Sequence, residues 1–124
     1  MAQGRSSVSA DGDMSVLSAD PFSGLLIVNF QDFLTPPSIL AADVSASTPL
    51  KRTAPVVLKT LPRRFDAANL RVTQHWATSR DGTKVPYFFV GPKNPRTDGS
   101  TPVLIDGYGG FELAQAPYYL GSAR

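Results

Sequence analysis

Leu104-Ile105-Asp106-Gly107-Tyr108-Gly109-Gly110-Phe111 is the stretch on which the reading of this chain depends. The apolar run Pro102-Val103-Leu104-Ile105 that leads into it suits a parallel strand buried on both faces, so a strand is predicted over Thr101 to Asp106. That strand stops at a turn with glycine at 107, 109 and 110. Glycine leaves the backbone free to take positive φ and lets a ligand come close to the main chain. The side chains left on display are the Tyr108 phenol and the Phe111 phenyl. A phenol titrates near about 10, so at neutral pH Tyr108 is a neutral donor suited to a developing oxyanion. Phe111 suits the floor of an apolar pocket. The plainer alternative is a tight turn with a packed tyrosine. The setting favours a site, because ligands of open α/β sheets sit at the carboxyl ends of strands. Ala114 to Arg124 reads as loop leading into helix.

Upstream, strand patterns recur at short spacing. Met14 to Ala19 reads as a strand, Asp20-Pro21-Phe22-Ser23-Gly24 as a turn, and Leu25-Leu26-Ile27-Val28-Asn29-Phe30 as a central strand. Thr35-Pro36-Pro37 breaks the pattern, and Ser38 to Asp43 and Ala54 to Lys59 supply two more strands around a polar loop at Val44 to Pro49. Strands so spaced are what an antiparallel propeller blade requires, and one blade needs neighbours to bury its faces. Leu61 to Asp66 reads as a connector. Arg71 to Thr78 and Lys84 to Val90 then form a hairpin about a two-residue Asp81-Gly82 turn, with Pro86 marking an exposed edge. Gly91 to Ser100 is a polar loop.

Composition bounds the function. At 124 residues, 42% hydrophobic and 18% charged, the chain has material for one modest core. Eleven prolines and ten glycines argue for strands and turns over long helices. A formal charge of +2 is too small to imply nucleic acid, and no aromatic platform interleaves with Lys51-Arg52, Lys59 and Arg63-Arg64. There is no cysteine, which removes disulfides, thiolate metal sites and thiol catalysis. Met1 to Asp13 lacks the apolar core of a signal peptide, and no run approaches the roughly twenty apolar residues of a membrane span. The expectation is a soluble, unexported, cytoplasmic chain, unless Met1 is internal to a longer reading frame. The single histidine, His75, lies mid-strand and far from the glycine turn, so it reads as structural, and Trp76 beside it as a packing residue. Asp106 reads as a turn cap in preference to a general base.

Three pieces, Ala77 to Phe88, Asp98-Gly99-Ser100 and Gly107 to Phe111, resemble in order and spacing the prolyl oligopeptidase family of serine peptidases. Phe30-Gln31-Asp32-Phe33-Leu34-Thr35-Pro36-Pro37 is similar to the F-x-S/D-F-L-T/S-P strand that closes that family's propeller. The resemblance spans about residues 20 to 124, and the first twenty match nothing. It implies a mixed fold: the last strands of a β-propeller, residues 1–62, followed by the first strands of an α/β-hydrolase sheet, residues 63–124, the whole incomplete. It implies a parent that cleaves short peptides after proline, as a monomer, with no cofactor, metal, nucleic acid or membrane. Through the glycine motif Tyr108 matches the tyrosine whose hydroxyl forms half of the oxyanion hole, and Phe111 the phenylalanine lining the proline pocket.

The departures bear on activity. No Gly-x-Ser-x-Gly elbow is present, Ser122 included, and in this fold order the nucleophile, acid and histidine all follow the strand that ends here. Asp106 also stands where the family often has an aromatic. The 124 residues alone are therefore expected to be inactive. Two alternatives stay open: another α/β-hydrolase peptidase or esterase, and a non-catalytic β-rich binding module or inactive remnant with Tyr108 and Phe111 as an aromatic patch.

Overall fold

The computed structural model describes residues 12–45 and 54–122. They form two compact units, one built from the chain up to Phe65 together with Pro117 onward, the other from Asp66–Ala116. Both are all-β and antiparallel, with no closed barrel among the described residues. The readings placed on Met1 to Asp11, most of the Val44 to Pro49 loop and Lys51-Arg52 lie outside the described residues.

The first unit is a four-stranded meander, β1 (Asp13–Asp20), β2 (Leu25–Gln31), β3 (Ser38–Asp43) and β4 (Val56–Thr60), in sheet order β1-β2-β3-β4. Its turns follow from their residues. At the β1–β2 turn the Asp20 carboxylate accepts from the Phe22 N–H at 2.9 Å and the Ser23 hydroxyl at 2.6 Å, holding the chain reversed. Alternation sets the core. Val28 and Phe30 point to one face of β2, and the β2–β3 register puts Val28 opposite Leu40, so these three bury together with Leu26 packed against them. Burying each such side chain stabilises by about 1.5–3 kcal/mol. The two outer strands each carry a bulge, at Leu17 between Val16 and Ser18 and at Leu58 opposite the Ile39–Leu40 step. Both leucines are exposed, as are Met14, Val16, Val56 and Val57. Bulges on outer strands interrupt the ladder where another strand would add.

The second unit is a hairpin of β5 (Leu70–Thr78) and β6 (Lys84–Pro92). Its turn differs from the expected two-residue form. Thr78 pairs with Lys84, the Gly82 N–H donates to the Ser79 carbonyl at 2.9 Å and the Ser79 N–H to the Thr83 carbonyl at 2.8 Å, so three residues, Arg80, Asp81 and Gly82, form the loop. Gly82 takes φ 88°, the left-handed residue that a three-residue hairpin needs. No residue of this unit is buried.

The strand expected over Thr101 to Asp106 does not form. Leu104 is 93% and Ile105 89% exposed, and the segment is irregular. An apolar run makes a buried parallel strand only when strands flank it and helices cover both faces, and the described residues hold neither. Nor do the described residues after Ala114 form an α-helix, since among them only a 3-10 turn at Leu120–Ser122 appears. No helix among the described residues is long and apolar enough to cross a membrane.

Candidate functional site

The glycine turn closes where the Leu113 N–H donates to the Gly110 carbonyl at 3.2 Å, leaving Phe111 and Glu112 at the two central positions, each with φ 55°. Positive φ at both centres is the sign pattern of a type I′ turn. It falls on Phe111 and Glu112 and not on Gly107, Gly109 or Gly110, contrary to the expectation that the glycines would carry it. A left-handed conformation costs a non-glycine residue about 1–2 kcal/mol. Gly110 serves a different end. A Cβ there would lie 3.1 Å from the Tyr108 hydroxyl and 3.3 Å from Cζ, so the missing side chain is what lets the phenol fold over its own turn.

Tyr108 is 51% exposed and its hydroxyl has no hydrogen-bond partner among the described residues. Phe111 is 90% exposed. The turn thus presents a free phenolic donor and a bare phenyl three residues apart, without walls around them. Asp106 is exposed and caps no turn among the described residues. That part is taken by Asp20, Asp32, Asp43, Asp66, Asp81 and Asp98, each accepting from a backbone N–H two residues on. Hydrogen bonds to the ionised form hold four of these carboxyls below the ordinary range: the Ser23 hydroxyl at Asp20, Ser45 at Asp43, the Thr83 N–H at Asp81 and the Ser100 hydroxyl at Asp98. Such groups are poor proton acceptors at neutral pH.

His75 stacks on Tyr87 across the hairpin at 5.5 Å, and its Nε2 lies 2.9 Å from the Thr73 hydroxyl. Ring contact and hydrogen bond together account for it within the strand pair. No group of three or more histidine, aspartate or glutamate side chains among the described residues is placed to hold a metal ion.

Sequence reading missed two features of the first unit. The buried Asp32 carboxylate, 5% exposed, organises the β2–β3 corner by accepting from the Leu34 N–H at 2.8 Å and from the Thr35 N–H. Ser38 beyond it donates to the Pro36 carbonyl at 2.8 Å, its oxygen 2.7 Å from the Thr60 hydroxyl. Tyr119, at 2% exposure, is the second. Its ring stacks on Phe65 at 5.4 Å, its hydroxyl accepts from the Arg64 N–H at 2.7 Å, and its own N–H donates to Gln31 Oε1 at 3.3 Å. The adjacent Leu120 N–H reaches the Phe33 carbonyl at 3.1 Å. Only the aromatic pair Tyr118-Tyr119 after Pro117 hinted that this segment docks.

No family model matches the chain. Individual proteins do. It is 41% identical over 106 residues to an uncharacterized peptidase of Sinorhizobium fredii, an alignment covering 86% of this chain and 14% of that protein. It is 35% identical over 92 residues to a dual function macrocyclase-peptidase of Amanita bisporigera, covering 74% of this chain and 12% of the relative. It is 30% identical over 94 residues to a prolyl endopeptidase of Elizabethkingia meningoseptica, covering 76% and 12%. The chain thus spans about a seventh or less of the length of these relatives. The same relatives bear out the resemblance to that family, and the chain belongs to the prolyl oligopeptidase family of peptidases.

Proposed function

We propose that this chain is the junction segment of a serine-type oligopeptidase that cleaves short peptides after proline, the meander being the end of its β-propeller and the hairpin the start of its α/β-hydrolase domain. In this reading Tyr108 donates its hydroxyl to the oxyanion of the tetrahedral intermediate, and Phe111 packs on the substrate proline ring. The observation that carries it is the glycine turn, which leaves the Tyr108 hydroxyl over Gly110 with no partner among the described residues and the Phe111 ring bare to solvent. A fixed neutral donor of this kind lowers the barrier by about 3–4 kcal/mol when aimed at the developing charge. An aromatic face suits a flat pyrrolidine ring. Nucleophile, acid and histidine would come from the rest of such a protein, and the complete enzyme would be a cytoplasmic monomer.

The hairpin unit speaks against a free-standing binding module. It buries no residue, and a two-stranded hairpin by itself is marginal in water. Its exposed Trp76, Val85 and Tyr87, with the uncovered Val103 to Ile105 run, are the faces that further strands and helices of a hydrolase sheet would cover.

The test is to express the complete reading frame around Met1 to Arg124 and assay chromogenic peptides ending in proline or alanine. Proline-selective turnover blocked by a serine reagent is expected. Tyr108→Phe should then lower kcat about 10²–10³-fold with KM within twofold, because the hydroxyl acts in the transition state. A change confined to KM would remove Tyr108 from the oxyanion hole.

A further inference from the structure

Four Asp-Gly steps occur in the sequence, at Asp11-Gly12, Asp81-Gly82, Asp98-Gly99 and Asp106-Gly107, and Asp11 lies outside the described residues. An aspartate before glycine is open to attack by its own backbone, because no side chain shields the next amide nitrogen from the carboxyl carbon. The three described steps are all exposed, so access to water does not separate them. Their hydrogen bonds do. At Asp81 both reacting groups are tied, the carboxylate accepting from the Thr83 N–H at 3.0 Å and the Gly82 N–H donating to the Ser79 carbonyl at 2.9 Å. Asp98 accepts from the Ser100 hydroxyl at 2.6 Å and the Ser100 N–H at 3.0 Å. These bonds favour the ionised carboxylates of Asp81 and Asp98, which makes scarce the protonated form from which water departs. Asp106 and Gly107 differ. They lie in no strand or turn and make no hydrogen bond among the described residues, and a Cβ on Gly107 would meet nothing within 4 Å.

We propose that Asp106-Gly107 is a site of spontaneous backbone modification, where aspartate isomerises to isoaspartate ahead of the other described Asp-Gly steps. The Gly107 amide nitrogen attacks Cγ of the protonated Asp106 carboxyl, the new N–Cγ bond closes a five-membered succinimide, and the carboxyl hydroxyl leaves with the amide proton as water. Water then adds back to the ring. Cleavage of the N–Cγ bond restores aspartate, whereas cleavage between the nitrogen and the main-chain carbonyl carbon leaves the backbone running through Cβ and Cγ. Nothing is oxidised or reduced, and the mass is unchanged. The product keeps its carboxylate but carries one more backbone atom immediately before Gly107-Tyr108. An unanchored segment reaches the attacking geometry without first opening any bond, whereas the tied steps must open locally before they react. The proposal is independent of the peptidase reading, since it needs only this segment's own chemistry.

The test is to hold the 124-residue chain at neutral pH and body temperature, in buffer and in concentrated guanidinium chloride, and to follow isoaspartate at each site by peptide mapping with electron-transfer mass spectrometry. In buffer, isoaspartate should accumulate at Asp106 several-fold faster than at Asp81 or Asp98. In denaturant, which removes the bonds at Asp81 and Asp98, the three rates should converge. Gly107→Ala places a methyl beside the attacking nitrogen and should slow the reaction at Asp106 several-fold. Asp106→Glu, which would need a six-membered ring, should give no isomerised product there. Both substitutions fall on exposed residues outside any strand, so the rates at Asp81 and Asp98 should stay as they were. Isomerisation at Asp81 or Asp98 as fast as at Asp106 in buffer overturns the proposal. So does an absence of isoaspartate at Asp106, or a lead that persists undiminished in denaturant, which would assign the difference to flanking residue types and not to the structure.

Discussion

Replacing Asp32 with alanine should destabilise the meander by about 2–4 kcal/mol, and the figure follows from what its carboxylate does. One oxygen accepts from both the Leu34 and Thr35 N–H groups, and the residue is 5% exposed. Hydrogen bonds to a charged group contribute about 1.5–3 kcal/mol each, and partial access of water to the freed donors lowers the sum. Serine carries an acceptor oxygen that reaches the same amides without the charge, so Asp32→Ser should cost only about 1 kcal/mol. That ranking gives a physical reason for the family pattern that this corner resembles, in which this position is serine or aspartate. Urea unfolding of the chain followed by circular dichroism measures both substitutions, with the midpoint shifting and the slope unchanged. An alanine variant within about 0.5 kcal/mol of the parent, or a serine variant as unstable as alanine, would refute the reasoning.

Further outcomes follow from the hairpin and the glycine turn. Gly82→Ala should cost about 1 kcal/mol, because φ is 88° and a Cβ would meet nothing within 4 Å, so the loss is purely conformational; a loss of several kcal/mol in amide exchange of the hairpin would show a packing role instead. The Asp81 carboxyl, held below its ordinary 3.8 by the Thr83 N–H, stabilises the turn above that value and ceases to as pH falls through the lowered one. The Thr83 amide signal should therefore be flat through neutral pH and titrate only below 3.8, and a midpoint above 3.8 contradicts the bond. In the complete peptidase, Phe111→Ala should weaken selection of proline over alanine by about 1–3 kcal/mol in kcat/KM. Equal loss on both substrates would take Phe111 out of the pocket.

How far the chain was readable depended on how local each cause was. β2 and β3 emerge within a residue of their expected spans, because Gly24, Pro36-Pro37 and the period-two alternation lie in the strands or beside them. The hairpin was legible as a pair but not in its loop, since Asp81-Gly82 serves a two-residue turn and a three-residue loop alike, and the choice rests on the pairing of Thr78 with Lys84. Pro102 to Ile105 misled because hydrophobicity reports what a segment wants to bury and not whether a partner is at hand. Tyr119 was missed because its partners, Gln31 and Arg64, are 88 and 55 residues away, beyond any window of local pattern. At the site, the residue types pointed to the turn, and the backbone alone showed that the left-handed cost falls on Phe111 and Glu112.

The uncovered Val103-Leu104-Ile105 run has a colloidal consequence. Uncharged, β-prone and open to solvent, it is the kind of segment through which chains stick to one another. Pro102 precedes it and Asp106 follows it, a residue that cannot donate to a ladder on one side and a repelling charge on the other. Asp106, which caps no turn among the described residues, thus bounds the apolar stretch with a charge and leaves it three residues long.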